Sequence, residues 1–350
     1  MSDHSEPESQ ERSTHPDKLD RAGFERQVGP FRRELRLHCY RMTGSPHEAE
    51  DLVQETFLRA WRSLDSFEGR GSLRAWLYRI ATNACLKALA NRKDQYRLLP
   101  DQHSPPTREM PSGDPPTDIM WLAPYPNSHL VGIVDDAPGP AARYETRESV
   151  QLAFVALIQQ LPPRQRAVVL LCDVLGWSAQ EATSLLGGSS ASINSALQRG
   201  RETLSKRYPE GRPRGASESD QAQRALIERY VQAWEGTDLD GFVSLLKEDA
   251  TYAMPPWGLW YRGRDSIRAF FAYVWRGYGG FRLVATGANG QPAFALFSRT
   301  PKDPTYRAHS IQVLEIQGDA ICALTAYLKP LAPELFAEFG LPLTLTEAQR

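Results

Sequence analysis

Cysteine is scarce in this sequence, and long apolar runs are missing. The four cysteines form no CxxC pair and lie mostly inside apolar periodic segments; they are Cys39, Cys85, Cys172 and Cys322. This usage argues against structural zinc and favours reduced, buried thiols. No stretch is long enough to span a bilayer, and the opening residues MSDHSEPESQERSTHPDK lack the apolar run of a signal peptide. We therefore expect a soluble cytoplasmic protein with no metal site and no cofactor.

The charges show no excess of either sign. The 350 residues include 41 basic and 42 acidic side chains, a formal net charge of -1. Such a total does not decide about nucleic-acid binding, because the charges could be mixed or separated onto different surfaces. The length is more informative, since the chain is too long for a single compact core. We expect two or three domains.

Proline divides the chain. Ten of the 26 prolines lie between Pro100 and Pro140, so no long helix crosses this stretch. Within it, Met120–Tyr125 is too apolar for a solvated tether and is expected to dock on a neighbouring domain. The predicted organisation is a disordered tail at 1–20, a helical domain at 21–95, a Pro-rich linker at 96–143, a second helical domain at 144–208, a linker at 209–219 and an α+β domain at 220–341.

The first helical domain contains the word DLVQETFLRAW, in a helix predicted over Pro46–Ser63. One face of this helix is apolar and carries Leu52, Val53, Thr56, Phe57, Ala60 and Trp61. The other face is polar with one leucine and carries Asp51, Gln54, Glu55, Leu58 and Arg62. Periodicity alone leaves open whether the polar face is merely solvated or binds a partner.

A second helix is predicted over Ser72–Asn91, with Ser72 as its N-cap. Spacings of three and four residues place one stripe along it, formed by Trp76, Arg79, Asn83 and Lys87. Such a stripe suits a melted nucleic-acid strand, because cations hold phosphates while flat side chains stack on unpaired bases. Trp76 fits the domain core equally well.

The second helical domain has the pattern of a helix-turn-helix. Helices are predicted over Pro163–Asp173, Ser178–Leu186 and Ser190–Leu204, with a glycine turn at Gly187-Gly188. Ser178 and Glu181 form a capping box, and Ser189 caps the third helix. Leu185, Leu186, Ile193 and Leu197 supply a shared core. Two-helix hairpins with a glycine turn are common, so this pattern alone favours DNA binding only weakly.

These two domains resemble one protein family. DLVQETFLRAW followed by F-x-G-R-G-S-L-R-A-W-L-Y-R-I-A-x-N resembles region 2 of extracytoplasmic-function (ECF) sigma factors. L-P-x-x-Q-R-x-V-x-L-L followed by W-S-x-x-E-A-x-x-L-L resembles their region 4. The resemblance covers Phe24 to about Tyr208. It implies a sigma factor that binds promoter DNA and core RNA polymerase, through the clamp helices of the largest subunit and the flap.

The resemblance also assigns roles to single residues. Polymerase binding is assigned to Asp51, Gln54, Glu55 and Leu58. Recognition of the minus-ten element is assigned to Ser72, Arg74, Trp76, Asn83 and Lys87, with Arg92 and Lys93 on nearby backbone. Recognition of the minus-thirty-five element is assigned to Ser190, Ser192, Asn194, Ser195 and Gln198, with Arg199 and Arg201 on phosphates. Family members commonly carry Lys or Arg early in this last helix, where this chain has Ser, Asn and Ala196, so we expect weak intrinsic promoter affinity.

The C-terminal segment changes from helical to mixed character. Two helical stretches, 221–235 and 239–246, precede five predicted strands, and the last four are separated by turns such as Asn289-Gly290. The strands are 251–254, 281–288, 293–299, 306–316 and 320–328, and we expect an antiparallel sheet that ends near Leu341. The segment ALIERYVQAWEGTDLDGFVSLLKEDATYAMPPWGLWYRGRDSIRAFFAYVW resembles SnoaL-like domains. The resemblance implies a cone of curved sheet and helices around an apolar pocket.

Candidate pocket residues are the aromatics of this segment and one histidine. They are Tyr252, Met254, Trp257, Trp260, Tyr261, Phe271, Trp275 and His309. The same residues could form the core of a small domain or an interface, so a small-molecule ligand stays an open alternative. Catalysis would need a positioned acid-base pair such as His309 near Asp265. Fold alone decides nothing about catalysis. We expect no enzymatic activity, because a lone histidine in a strand is more often a structural residue.

Three functions remain to be compared. The first is a sigma factor whose C-terminal domain packs on the linker or region 2 and controls activity. The second is a dimeric, ligand-sensing helix-turn-helix regulator, which leaves DLVQETFLRAW unexplained. The third is an enzyme with DNA-binding appendages, which requires a catalytic constellation that the sequence does not display. Copurification with core polymerase separates the first from the others.

Overall fold

The computed structural model describes residues 21–64, 67, 72–92, 96–117, 119–133, 148–207 and 220–345. Residues 1–20, for which a tail was expected, and the short linker at 209–219 lie outside these ranges. Within the described part of the chain, no helix combines the length and apolarity that crossing a bilayer requires.

The described part of the first domain contains the α-helices α1 (Arg21–Val28), α2 (Arg32–Thr43), α3 (Pro46–Arg62) and α4 (Leu73–Ala90). The predicted cap of α4 is present, since the hydroxyl of Ser72 accepts a backbone hydrogen bond there, and Ser45 caps α3 in the same way. Helices α2, α3 and α4 pack on one another around a core that includes Tyr40, Val53 and Leu77. The predicted helices 46–63 and 72–91 are thus confirmed to within a residue or two.

The second domain contains α6 (Leu152–Gln159), α7 (Pro163–Val169), α8 (Ala179–Leu186) and α9 (Ser190–Arg207). Helix α7 continues through a π-helical turn at Leu170–Val174. Ser178 and Glu181 form the predicted capping box, and the hydroxyl of Ser189 accepts a hydrogen bond from the backbone of Ser192 at 3.2 Å. The buried Ile193 and Leu185 join the helices α8 and α9, as expected for a helix-turn-helix.

The described residues of the Pro-rich linker pack on its neighbours. These residues form a short α-helix, α5 (Pro100–His103), a 3-10 helix at Asn127–His129 and a parallel bridge between Leu98 and Trp121. Trp121, Leu122 and Tyr125 are buried, and the backbone of Ala123 bonds to Gly44 of the first domain at 3.0 Å. The expected docking of this apolar patch is confirmed.

The C-terminal domain is a six-stranded sheet with three helices packed on one face and a fourth on the opposite face. The strands are β1 (Leu246–Ala253), β2 (Trp260–Arg262), β3 (Gly280–Ala288), β4 (Gln291–Arg299), β5 (Arg307–Gln317) and β6 (Ala320–Tyr327), in the spatial order β2-β1-β6-β5-β4-β3. The helices are α10 (Asp220–Glu235), α11 (Leu239–Ser244), α12 (Arg264–Val274) and α13 (Ala332–Glu338).

Three details of this domain differ from the sequence prediction. The sheet is mixed, because β1 pairs with β6 in parallel. Along the chain, the helix α12 and the three strands β3, β4 and β5 lie between these two strands. The strand β2 was missed, since three residues are too short to show an alternation. The chain also stays packed beyond Leu341, where Thr344 bridges to Arg307 and Leu345 is buried.

Both faces of the sheet are buried, which explains the nearly continuous apolar run of β4. Alternate residues of a strand point to opposite faces. Phe294 and Leu296 point into the C-terminal domain, while Ala295 and Phe297 belong to the same buried cluster as the first helical domain. The helix α13 packs on this outer face through Phe336, whose ring lies 5.2 Å from that of Phe297. The sheet therefore serves as a wall between the two cores.

Candidate polymerase, DNA and ligand surfaces

The polar face of α3 is exposed to solvent in the described part of the chain. Asp51, Gln54, Glu55 and Leu58 are all exposed, and the side chain of Leu58 is 55% exposed. Glu55 accepts a hydrogen bond from Arg59 along the same face. An exposed leucine between acidic and amide side chains offers a partner both an apolar contact and charge. All four residues assigned to polymerase binding lie together here.

Trp61 was expected on the core face of α3, and this was wrong. Its side chain is 38% exposed and meets the ring of Phe24 edge-on, with centroids 5.3 Å apart. The helix α1 reaches only one side of the indole, so the other side stays in solvent. Periodicity placed Trp61 at the border of the apolar stripe, where the extent of the neighbouring helix decides its burial.

The minus-ten candidates on α4 fall into two groups, one exposed in a row along the helix and one with structural partners. Arg79, Asn83 and Lys87 are exposed in one row, and the ring of the half-buried Trp76 lies 4.9 Å from that of Phe67. This row presents cations and an amide to solvent. The exposed Ser72, by contrast, caps its helix.

Arg74 also has a structural partner. Its guanidinium pairs with Glu34 at 2.8 Å and lies over the ring of Tyr78. Arg92 likewise pairs with Glu48, and Lys93 lies outside the described residues. These pairings hold α4 against α2 and α3, so Asn83 and Lys87 are the freer of the predicted DNA contacts.

The recognition helix α9 presents most of its predicted base-reading residues to solvent. The exposed ones are Ser190, Ser192, Asn194, Gln198 and Arg199. Ser195 is half-buried, and its hydroxyl accepts a hydrogen bond from Arg199 at 2.7 Å. Arg201, expected on phosphates, instead pairs with Asp173 of the preceding turn. Short polar side chains dominate this surface, in line with a small electrostatic contribution to DNA affinity.

The two helical domains are in direct contact, which the sequence did not indicate. The ring of Trp177, next to α8, lies 5.5 Å from that of Tyr78 on α4. The amide of Gln159 donates to the carbonyl of Arg41 at 2.8 Å. The buried guanidinium of Arg166 donates to the carbonyl of Met42 at the end of α2. We call this contact between α4, α2 and the second domain the closed arrangement.

The β3–β4 turn of the C-terminal domain reaches into the closed arrangement. Asn289 is buried there with φ +55°. Its side-chain amide donates to the phenolic oxygen of Tyr40 at 2.9 Å and to the carbonyl of Val150 at 2.7 Å. Its side-chain oxygen accepts from the backbone of Tyr125 at 2.8 Å. One residue thus joins the first domain, the linker and the start of the second domain.

A cavity of about 200 Å³ lies inside the C-terminal domain. Of the predicted pocket residues, Tyr252, Met254, Trp257, Phe271, Trp275 and His309 line it. Trp260 does not: its indole donates to the carbonyl of Ser104 in the linker at 2.7 Å. The reason is strand alternation, because Tyr252 lies opposite Tyr261 while Trp260 lies opposite Ala253. Tyr261 stacks among the core aromatics, and its hydroxyl donates to the backbone carbonyl of Glu109.

His309 is held by neighbours within the cavity wall. Its Nε2 lies 3.0 Å from the hydroxyl of Tyr278 and its Nδ1 lies 3.3 Å from that of Ser310. Burial lowers the pKa of His309 to about 4, with a smaller contribution from Lys329. The imidazole is therefore neutral near pH 7. Among the described residues, Asp265 does not line the cavity, and no group of three or more His, Cys, Asp or Glu side chains is arranged to hold a metal ion.

Comparison with known proteins decides the family. Family models for Sigma-70 region 2, Sigma-70 region 4 and a SnoaL-like domain match residues 28–95, 151–204 and 227–324. The chain is 42% identical over 330 residues to the ECF RNA polymerase sigma factor SigG of Mycobacterium tuberculosis (strain ATCC 25618 / H37Rv), an alignment covering 93% of this chain and 85% of that protein. The chain belongs to the ECF sigma factors.

Two further matches extend over all three domains of this sigma factor. SigJ of the same organism, also an ECF RNA polymerase sigma factor, is 28% identical over 316 residues, covering 86% of this chain and 90% of that protein. Its crystal structure matches with a TM-score of 0.56 and 23% identity, covering 91% of this chain and 99% of that one. The structural match shows the fold: helical sigma domains followed by a SnoaL-like domain.

The family confirms what the two sequence motifs indicated. The protein is an RNA polymerase sigma factor that directs transcription initiation, and sigma factors bind core RNA polymerase and promoter DNA. The roles of single residues on α3, α4 and α9 remain predictions. Two functional features escaped sequence reasoning: the closed arrangement and the insertion of Asn289. An Asn-Gly turn signals a hairpin, and nothing local distinguishes a turn in solvent from one that another domain surrounds.

Proposed function

We propose that the SnoaL-like domain regulates this sigma factor by holding regions 2 and 4 in the closed arrangement. What carries the proposal is the hydrogen bonding of Asn289 to Tyr40, Tyr125 and Val150. The residues proposed to hold polymerase are Asp51, Gln54, Glu55 and Leu58, and they are exposed in the same state. Polymerase can therefore dock first and meet a sigma factor that is still closed.

In the closed arrangement the two DNA-reading surfaces are too close together to reach both promoter elements. The minus-ten and minus-thirty-five elements are separated by about 25 base pairs, or roughly 85 Å of duplex at about 3.4 Å per step. Helices in contact, as α4 and α8 are, lie about 8–10 Å apart. The two DNA-reading surfaces cannot reach both elements until region 4 leaves region 2. Opening is thus the step at which the C-terminal domain exerts control.

We propose further that the SnoaL-like domain binds rather than catalyses, and that the protein works in the cytoplasm with the polymerase. Support comes from the relatives, which are transcription initiation factors, and from the structural role of His309. Turnover of a small ketone or epoxide that disappears in His309→Ala would overturn the first of these statements.

The experiment is in vitro transcription with core polymerase, comparing the full chain with a chain truncated after Tyr208. A promoter library supplies the template, and sigma is limiting. Because the truncated chain lacks the SnoaL-like domain that holds regions 2 and 4 together, its transcription output should be several-fold higher. Unchanged or lower output contradicts the proposed mechanism.

A full-length variant is the control for a side effect of truncation, which exposes the apolar surfaces of region 2 and the linker that the sheet covers. Asn289→Gly keeps the turn conformation and removes the side-chain hydrogen bonds. It should shift transcription output in the same direction as truncation.

A distance measurement tests opening itself. Labels at Lys87 and Gln198 should move apart when the full chain binds polymerase, whereas a constant separation would mean that opening does not occur.

A further inference from the structure

The cavity of the SnoaL-like domain has the size and lining of a ligand site. Its volume is about 200 Å³, and half of the residues around it are Trp, Tyr or Phe. A cavity of about 150 Å³ with an apolar lining is enough to bind benzene and stays dry when empty. The space is therefore sufficient for a one-ring compound with a few substituent atoms.

The lining sets the charge of the ligand. Among the described residues around the cavity there is no Asp, Glu, Lys or Arg, and His309 is neutral near pH 7. An ion entering would lose its hydration without a countercharge, which costs several kcal/mol. Hydrogen-bonding capacity is present, because the buried indole N–H of Trp275 has no partner among the described residues. The chemistry fits an uncharged ring that carries a hydrogen-bond acceptor.

The Pro-rich linker supplies part of the cavity wall. Pro111 lines the cavity, and Met110 packs against the same core. The preceding linker residues are held to the edge of the domain. The backbone N–H of Thr107 donates to the carbonyl of Trp260 at 2.9 Å, and the indole N–H of Trp260 donates to the carbonyl of Ser104 at 2.7 Å. This part of the wall thus comes from the linker segment that lies between region 2 and Trp121 in the sequence.

We infer that a small uncharged aromatic compound binds in this cavity beneath Pro111, and that its binding is coupled to the docking of the linker. A docked linker adds Pro111 to the ligand's surroundings, so ligand and docked linker stabilise each other, and the coupling is reciprocal. The ligand therefore stabilises the closed arrangement. The regulatory consequence depends on the proposed function above, whereas the binding itself does not.

The test uses the full-length protein and two fluorinated probes, followed by fluorine NMR. 4-Fluorophenol is uncharged at pH 7 and has one hydroxyl group, while 4-fluorobenzoate has the same fluorinated ring, is slightly larger and carries a negative charge. We expect binding of the phenol and at least tenfold weaker binding of the benzoate. Equal binding of both, or binding of neither, overturns the site.

Two variants locate the binding. Ala326→Leu fills the cavity and should reduce phenol affinity at least tenfold, with Ala323→Leu on the opposite face of β6 as the matched control. Leu328→Phe fills the cavity from its partly exposed rim and serves if the first variant does not fold. Full affinity in a folded cavity-filling variant contradicts the assignment.

Coupling to the linker has its own variant. Trp260→Phe removes the hydrogen bond to Ser104 without altering the cavity lining, and should weaken phenol binding several-fold. Unchanged affinity refutes the coupling but leaves the site intact. If the phenol binds as expected and truncation after Tyr208 leaves transcription unchanged, the proposed regulatory function fails while the cavity stands as a ligand site.

Discussion

The side-chain amide of Asn289 donates a hydrogen bond to the phenolic oxygen of Tyr40 across 249 residues of sequence, at 2.9 Å. Tyr40 in turn donates to the carbonyl of Ala123 in the linker, also at 2.9 Å. Burial raises the pKa of Tyr40 above its usual range, so the phenol keeps its proton and can serve as both donor and acceptor. This short chain of bonds connects the SnoaL-like domain, the linker and region 2.

Asn289→Gly is expected to lower the free energy of unfolding by about 2 kcal/mol, because buried partners lose their hydrogen bonds. Asn289→Ala should cost about 1 kcal/mol more, since alanine disfavours φ +55°. Asn289→Asp keeps the acceptor for Tyr125 and loses the donors. Thermal unfolding and hydrogen exchange around Tyr125 measure these effects. A glycine variant as stable as the parent chain would show that the side chain of Asn289 does not stabilise the interface.

Leu58→Glu is expected to weaken binding to core polymerase at least tenfold. Burying an exposed leucine in an interface contributes about 1.5–3 kcal/mol, and about 1.4 kcal/mol corresponds to a factor of ten. Leu343→Glu is the matched control, because Leu343 is a similarly exposed leucine, 52% against 55%, in the C-terminal domain. Affinity measured with labelled sigma factor decides the matter. Equal losses in both variants would mean that α3 has no special role.

Arg199→Ala is expected to reduce the salt dependence of promoter binding by the holoenzyme. Each phosphate contact contributes about 0.9 to the slope of log affinity against log salt concentration. Arg201→Ala is the comparison, since Arg201 already pairs with Asp173 and should change the slope less. Binding to a cognate promoter between low and moderate salt supplies the measurement. A larger effect from Arg201 would reverse the assignment.

His38 makes the stability of region 2 sensitive to acid. Burial, with smaller effects of Arg41 and Arg74, lowers its pKa from 6.5 to about 3. Between pH 6.5 and 3, His38 is therefore protonated in the unfolded chain but neutral in the native chain. The free energy of unfolding falls as the pH is lowered through this range. At pH 5 this amounts to about 2 kcal/mol relative to pH 7.

His38→Gln removes that proton linkage while a side-chain partner for Thr82 remains available. Denaturant unfolding at pH 5 and pH 7 should show a smaller difference for the variant than for the parent chain, by about the same 2 kcal/mol. Other titrating groups contribute equally to both proteins and cancel in the comparison. An identical pH dependence would show that His38 becomes protonated without cost to the fold.

Local chemistry made the helices predictable. The hydroxyls of Ser45 and Ser178 satisfy the first turns of their helices wherever those helices lie, so the boundaries follow from a few neighbouring residues. The exposed polar faces of α3 and α9 follow from the 3.6-residue period. Trp61 and Trp260 show the limit of this reasoning. Their surroundings depend on the extent of α1 and on a linker segment more than a hundred residues away.

By itself, the sequence determined the family, the helical domains, the helix-turn-helix and the SnoaL-like segment, since these rest on motifs and on contacts between near neighbours. Only the tertiary structure decided the parallel pairing of β1 with β6, the closed arrangement of regions 2 and 4, the burial of Asn289 against Tyr40, and Pro111 as a wall of the cavity. Each of these joins surfaces from separate parts of the chain. Their pairing depends on shape and on buried hydrogen bonds that no single segment encodes.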